Sequence, residues 1–473
     1  MNRLIQSTTA ALAALVCVSA AVAAERPNII LCMTDDQGWG DVGYNGHPRL
    51  QTPVLDEMAA KGLRFDRFYA ADPVCSPTRA SVLSGRHPIR SAVFSWGLPL
   101  RPQEFTIAEG LKRGGYATGH FGKWHLGDVG ADDATSPGAQ GFDEWVSSPN
   151  FYENDPLFSH NGKVIETKGE SSMVTVEKAL EFVGAAAKMK QPFLAVVWFG
   201  NPHLPHEAEP ELRELYKDLP ANLQNYYGEI TGVDRAMGRL RERLRELGIA
   251  DDTIVWFTAD NGHLPPGTAA GLRGQKSQVW EGGIRVPTVL EWPARVKQPR
   301  RIAVPSGTVD IYPTLLEIAG VTVDDQPGPV DGESIAALIE GREFAREKPL
   351  GFWKYSTAGS PTQSNKILRE MQAMQNGEEV ANPTRFPDWR ITRQYPEDRF
   401  PGHAAWIDGK WKLHRIAGRG AGGEQWQLYD LENDSAEETD VAANQADVVN
   451  RMRGELEEWQ KSVLRSLNGK DYP

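Results

Sequence analysis

Apolar residues run without interruption through Ile29-Ile30-Leu31-Cys32-Met33, and similar runs recur at 193–199 and 253–257. Continuous rather than alternating runs suit strands of a parallel sheet that is covered on both faces. Between the last two, Tyr227, Ile230, Val233, Met237, Leu240, Leu244 and Leu247 repeat at steps of three and four and stop at Gly248. That spacing predicts an amphipathic helix with a glycine at its C-terminal end. Strand and helix thus alternate, which predicts an α/β domain with a doubly wound, mostly parallel sheet flanked by helices over 25–345. Ligands of such sheets collect beyond the carboxyl ends of the strands.

From about residue 346 the pattern changes. Residues 356–403 are polar and proline-rich and read as an extended loop. Trp406-Ile407-Asp408-Gly409-Lys410-Trp411-Lys412-Leu413 reads as a hairpin turning at Asp-Gly, and Leu428-Tyr429-Asp430-Leu431 as another strand. Val449, Met452, Leu456, Trp459 and Val463 line one face of a terminal helix. The expected C-terminal unit, 346–473, is therefore a smaller antiparallel sheet plus one helix.

At the other end, Arg3, an apolar run over 10–22 and the small residues Ala21-Val22-Ala23 have the form of a secretory signal over 1–24. No other stretch reaches ~18 apolar residues, so no membrane anchor is expected and the location is periplasmic or secreted. Cys17 is flanked poorly for lipidation. Among the 473 residues, 40% are hydrophobic and 24% charged, with a net charge of -12. This balance argues against nucleic acid as a partner, because phosphate backbones demand clustered Lys and Arg. An anionic substrate would have to be met by a local basic cluster.

Several short motifs carry chemistry. Asp35-Asp36 follows the first strand and Asp260-Asn261-Gly262 follows the run at 253–257. Each pair alone could be a solvated turn, but two at two strand ends make an oxygen-only donor set that suits Ca²⁺ or Mg²⁺ and not zinc. Lys123 and His125 are two residues apart, which in an extended segment places both on one face. His203 lies in Asn201-Pro202-His203-Leu204-Pro205-His206, and Lys276 in the glycine-rich stretch 272–287. Of the three cysteines, Cys17 lies in the signal and Cys32 reads as core. Cys75 begins Cys75-Ser76-Pro77-Thr78-Arg79; alone it would be an ordinary buried thiol.

Together these residues resemble, in identity and order, the pattern of the type I sulfatases of the alkaline phosphatase superfamily. The resemblance spans 27 to about 465. Asp310-Ile311-Tyr312-Pro313 and Val330-Asp331-Gly332-Glu333 match two further hallmarks with structural roles. Stretches around Cys75 and over 141–150 look particularly like the N-acetylgalactosamine-6-sulfatase and arylsulfatase A branch. The resemblance implies that a formylglycine-generating enzyme oxidises Cys75 to formylglycine, whose hydrate attacks sulfur. It implies a divalent cation, usually Ca²⁺ with Mg²⁺ possible, held by Asp35, Asp36, Asp260, Asn261 and an oxygen of the modified Cys75. Arg79 would fix the nucleophile, and Lys123, His203 and Lys276 would cradle sulfate. His203 or Lys276 would protonate the leaving alkoxide, and His125 would act as base. The implied substrate is a sulfate ester, an O-sulfated carbohydrate or aryl sulfate. A phosphate or phosphonate monoester hydrolase is the alternative, and a silent sulfoglycan-binding protein would result if Cys75 were not matured. His47, Trp96, Tyr152, His206 and Trp389 are candidates for the substrate rim. The sugar, the sulfated position, exo or endo action and the oligomeric state stay open at this stage.

Overall fold

The computed structural model describes residues 26–355, 358–418 and 423–472. The signal over 1–24 falls outside the described residues. At the centre is a ten-stranded sheet whose middle five strands are parallel. In spatial order they are Thr253–Ala259, Asn28–Thr34, Phe193–Trp198, Ala117–Lys123 and Glu144–Ser148. Antiparallel strands extend both edges, with Thr288–Glu291 on one side and Leu157–His160 and Lys163–Glu166 on the other.

The first strand shows why its apolar run is continuous. Ile29, Leu31 and Met33 enter the core on one face of the sheet, whereas Ile30 and Cys32 enter the core on the other. Helices Ser171–Met189 and Ala221–Glu246 cover the second face with Val176, Leu180, Val233, Met237 and Leu240. Cys32 is thus plain core, as its neighbours predicted, and both Cys32 and Cys75 are free thiols.

The C-terminal part forms a four-stranded antiparallel sheet, Leu350–Lys354, His403–Asp408, Trp411–Ile416 and Gln425–Asp430. Helix Ala446–Leu467 packs on it through Met452, Leu456 and Val463. The hairpin turns at Asp408-Gly409, where Gly409 has a φ of 56°. The stretch 356–403 is not simply an extended loop: it contains helix Ser364–Gln375. Its inward-facing apolar side chains are Ile367, Leu368 and Met371, a stripe too short to stand out among polar residues. No helix among the described residues is long and apolar enough to cross a membrane.

Candidate active site

Four of the parallel strands deliver chemistry at their carboxyl ends. Asp35 and Asp36 follow Asn28–Thr34, Lys123 closes Ala117–Lys123, His203 lies just after Phe193–Trp198, and Asp260 and Asn261 follow Thr253–Ala259. Two positive φ angles turn the chain sharply there, 63° at Asp36 and 55° at His125. Lys123 and His125 therefore share the site because the strand ends and the backbone turns left-handed, not because the segment stays extended. Gly122 permits this turn: a Cβ there would lie 1.9 Å from the Trp198 carbonyl oxygen.

Cys75 is the first residue of helix Cys75–Ser84, every residue of which is buried. Its neighbouring N–H groups are those a helix leaves unpaired, so the position favours developing negative charge. Pro77 falls where a missing N–H costs no helical bond. His125 Nδ1 lies 3.3 Å from Cys75 Sγ, and His125 Nε2 is buried with no partner. One turn along the helix, Arg79 donates to Asp260 Oδ2 at 2.7 Å and to the Lys123 carbonyl at 3.1 Å. Its guanidinium sits 5.0 Å over the Trp198 ring and 3.9 Å from Asp35 Oδ1.

The cations and carboxylates interlock around this helix end. Lys123 Nζ reaches Asp35 Oδ2 at 2.5 Å and Lys276 Nζ reaches Asp36 Oδ2 at 2.6 Å. His203 Nε2 stands 3.7 Å from Asp36 Oδ2, while its Nδ1 meets the Leu204 carbonyl at 2.6 Å. Asn201 fixes that loop by donating to Ser171 and Ser172 Oγ, each at 3.1 Å. Asn261 donates to Asp36 Oδ1 at 2.8 Å, and the Asp36 N–H donates to Asp260 Oδ1 at 3.1 Å.

Electrostatics follow from this packing. Burial pushes the Asp35 carboxyl up, but Lys123, His203, Arg79 and Lys276 outweigh it and hold it well below the carboxylate range. Asp260 goes the other way, raised by burial and by the charge of Asp35 despite Arg79. Burial keeps the Cys75 thiol protonated, against the pull of Lys123 and Lys276. It also drives the His125 imidazole neutral, with Lys123 and Arg79 adding to the effect. Lys276 stays an ammonium because Asp36 overrides its burial.

The residues fit a hard divalent cation. Asp35 Oδ1 and Asn261 Oδ1 are buried oxygens without a hydrogen-bond partner. One ligand atom each of Asp35, Cys75 and Asp260 lie within 4.8 Å of one another, as do those of Asp35, Asp36 and His203. Each group brings two carboxylates together, and although Lys123, Arg79 and Lys276 offset part of their charge, these oxygens left without a donor suit a hard cation.

A sulfatase family profile matches residues 27–321. Across 391 residues the chain is 31% identical to human (Homo sapiens) N-acetylgalactosamine-6-sulfatase, covering 73% of this chain and 72% of that one. The chain belongs to the sulfatase family. An ulvan-active sulfatase of Formosa agariphila is 33% identical over 341 residues, 67% of this chain and 65% of that protein. Among solved structures, Ps i-CgsB in complex with k-i-k-neocarrahexaose superposes with a TM-score of 0.77 at 26% identity, over 92% of this chain and 93% of that one.

Every residue that the sulfatase resemblance singled out for chemistry lies in this one cluster. The rim candidates scatter. Tyr152 is core, its hydroxyl 2.6 Å from Thr175 Oγ1 beneath the sheet end, and His206 is held by Glu229 at 3.0 Å. His47 accepts from the Leu50 N–H and packs edge-on against Tyr227. Trp389 lines a surface cavity with Phe94, Leu98 and Arg101, whereas Trp96 is 37% exposed beside Gly359. Phe151 escaped the sequence reading: its ring stacks on the His203 ring at 4.3 Å. A lone phenylalanine in a loop gives no signal for that role.

Proposed function

We propose that this chain hydrolyses sulfate esters of carbohydrates, and that Cys75, Arg79, Lys123, His125, His203 and Lys276 carry the reaction. The observation behind it is the convergence of one buried helix N-terminus, three cations and the carboxylates Asp35 and Asp260 on Cys75. Asp35, Asp36, Asp260 and Asn261, with the modified Cys75, would hold the cation, Ca²⁺ or Mg²⁺. When present, the cation and the formylglycine made from Cys75 supply a polarised hydroxyl as nucleophile.

The chain's own groups do the rest. Arg79 ties Asp260 and the Lys123 backbone into one frame, so the metal-ligand set and the sulfate-facing Lys123 are held together. Lys123 and Lys276 place ammonium groups where sulfate oxygens gather charge as the ester bond breaks. His203 or Lys276 delivers a proton to the departing sugar oxygen. His125 Nδ1, facing the Sγ position, accepts the proton whose loss releases sulfate. Relatives active on sulfated saccharides support the carbohydrate reading. Periplasmic or secreted placement and maturation by a formylglycine-generating enzyme belong to the same reading.

The test is kcat/KM of matured protein on a panel of sulfated saccharides, alongside matched aryl sulfates and aryl phosphates. Preference for a sulfated saccharide is the expected result. Preference for phosphate or phosphonate esters would replace this reading with its alternative.

A further inference from the structure

Lys276 sits at the tip of a loop whose two ends are tied together, the Gly282 N–H donating to the Arg273 carbonyl at 2.7 Å. Its tip is fixed from the N-terminal side, by the Lys276 N–H to His263 O at 2.9 Å and the Ser277 N–H to Pro73 O at 2.8 Å. Its base is gripped by the C-terminal part of the chain. One residue, Glu437, holds both ends: its carbonyl accepts from Arg273 Nη1 at 3.1 Å, and its Oε2 accepts from the Glu281 N–H at 2.7 Å.

Glu437 is itself held from below. Its Oε1 meets Lys412 Nζ at 3.0 Å and His414 Nε2 at 2.6 Å, and Lys412 Nζ also reaches Glu281 Oε1 at 2.9 Å. All four side chains have no exposed surface. Between the loop ends, Trp280 lies 3.6 Å from the Arg273 guanidinium and 4.2 Å from the His414 ring. Charges desolvated this completely hold their geometry tightly, because any displacement leaves one of them unpaired.

We propose that the Lys412–His414–Glu437 cluster of the C-terminal sheet is a positioning device for Lys276, setting where its ammonium meets the sulfate ester. This rests on the reading above, in which Lys276 contacts the substrate. Glu437 is a positioning residue and touches no substrate. Its carboxylate must accept on both faces, from Lys412 and His414 on one oxygen and from Glu281 N–H on the other. An amide offers one acceptor oxygen, so Glu437→Gln must release one side of the grip.

The test is a double-mutant cycle in the full, matured chain, with each variant shown folded by thermal melting. Glu437→Gln is expected to lower kcat/KM about tenfold or more in the wild-type background, the size of effect a misplaced catalytic group gives. In a Lys276→Ala background the same change should cost less than about twofold, because the group it positions is already gone. Leu456→Ala, buried under the same sheet on the terminal helix, serves as a control whose effect should be the same in both backgrounds. Equal losses from Glu437→Gln in the two backgrounds would overturn the proposal. If Glu437→Gln does not fold, Trp280→Phe, which leaves all the charges and weakens the Arg273 stack, enters the same cycle with the same two outcomes. Failure of the functional reading looks different: wild-type protein without sulfate-ester turnover, or Lys276→Ala as active as wild type.

Discussion

His125 offers the sharpest test of how the site works, and His125→Asn is the variant to make. The position has a φ of 55°, a conformation that costs alanine about 1 kcal/mol or more and that asparagine adopts readily. Asparagine also fills most of the buried space and has no basic nitrogen to place 3.3 Å from the Sγ position. Among the described residues His125 Nδ1 is the hydrogen-bond partner of Cys75 Sγ, so steady-state kcat should fall by about 10²–10⁴, the usual worth of a positioned base. Bond cleavage to the leaving group does not use this imidazole. Arg79, Lys123, Lys276 and His203 keep their partners, because none of their hydrogen bonds or ion pairs involves His125. Rapid mixing with an activated aryl sulfate should then give a burst of about one phenol per matured site, followed by slow turnover. The matured fraction is counted by mass spectrometry so that the burst can be scaled. Slow turnover without a burst, with a loss that grows as the leaving phenol becomes more basic, would refute the assignment. His125 would then belong to the cleavage step alongside His203.

Part of this site was legible because Asp35, Asp36, His203, Asp260 and Asn261 follow strands that the sequence announces, whereas Cys75, Lys123, His125 and Lys276 could be read only from their motifs. The runs around Ile29, Val196 and Val255 are apolar without alternation since both faces are buried, and their carboxyl ends locate Asp35, His203 and Asp260. What the sequence hid is of three kinds. Phe151 and the Glu437 clamp act through contacts between distant segments, Glu437 lying 156 residues from the Glu281 N–H it accepts. No local spacing encodes such a contact. Aromatic identity, in contrast, misled: Tyr152 reads as a possible sugar platform, yet its ring fills the space under the sheet and its hydroxyl is satisfied by Thr175. Helix Ser364–Gln375 was masked by a polar surround because its packing needs only three apolar side chains against the edge strands.

Three further predictions follow from the same geometry. The peptide carrying Cys75 in active protein should be lighter by about 18 Da than its thiol form, as thiol-to-aldehyde conversion requires; full activity with only the thiol present would overturn the maturation reading. Asp36→Asn or Asp260→Asn should remove most activity, and chelation should do the same until Ca²⁺ or Mg²⁺ is returned; stoichiometric zinc with no alkaline-earth ion in active protein would refute the oxygen-only site. The last concerns stability. Asp331 accepts from Arg90 Nε and Nη2, both at 2.8 Å, and from Trp459 Nε1 at 2.8 Å, tying the terminal helix to the sulfatase core. Burial pushes its carboxyl up, but Arg90 outweighs burial and holds it well below the ordinary 3.8. Its folded-state pKa is thus depressed, so its stabilisation is present above about pH 4 and is lost as pH falls below the unfolded value toward the folded one. Asp331→Asn leaves Arg90 buried opposite a neutral amide and should cost about 3–5 kcal/mol at pH 7. In urea unfolding, the gap between wild type and variant should narrow as pH is lowered from 7 to about 3. A gap that stays constant over that range would mean that packing by Trp459, and not the charge of Asp331, holds the terminal helix in place.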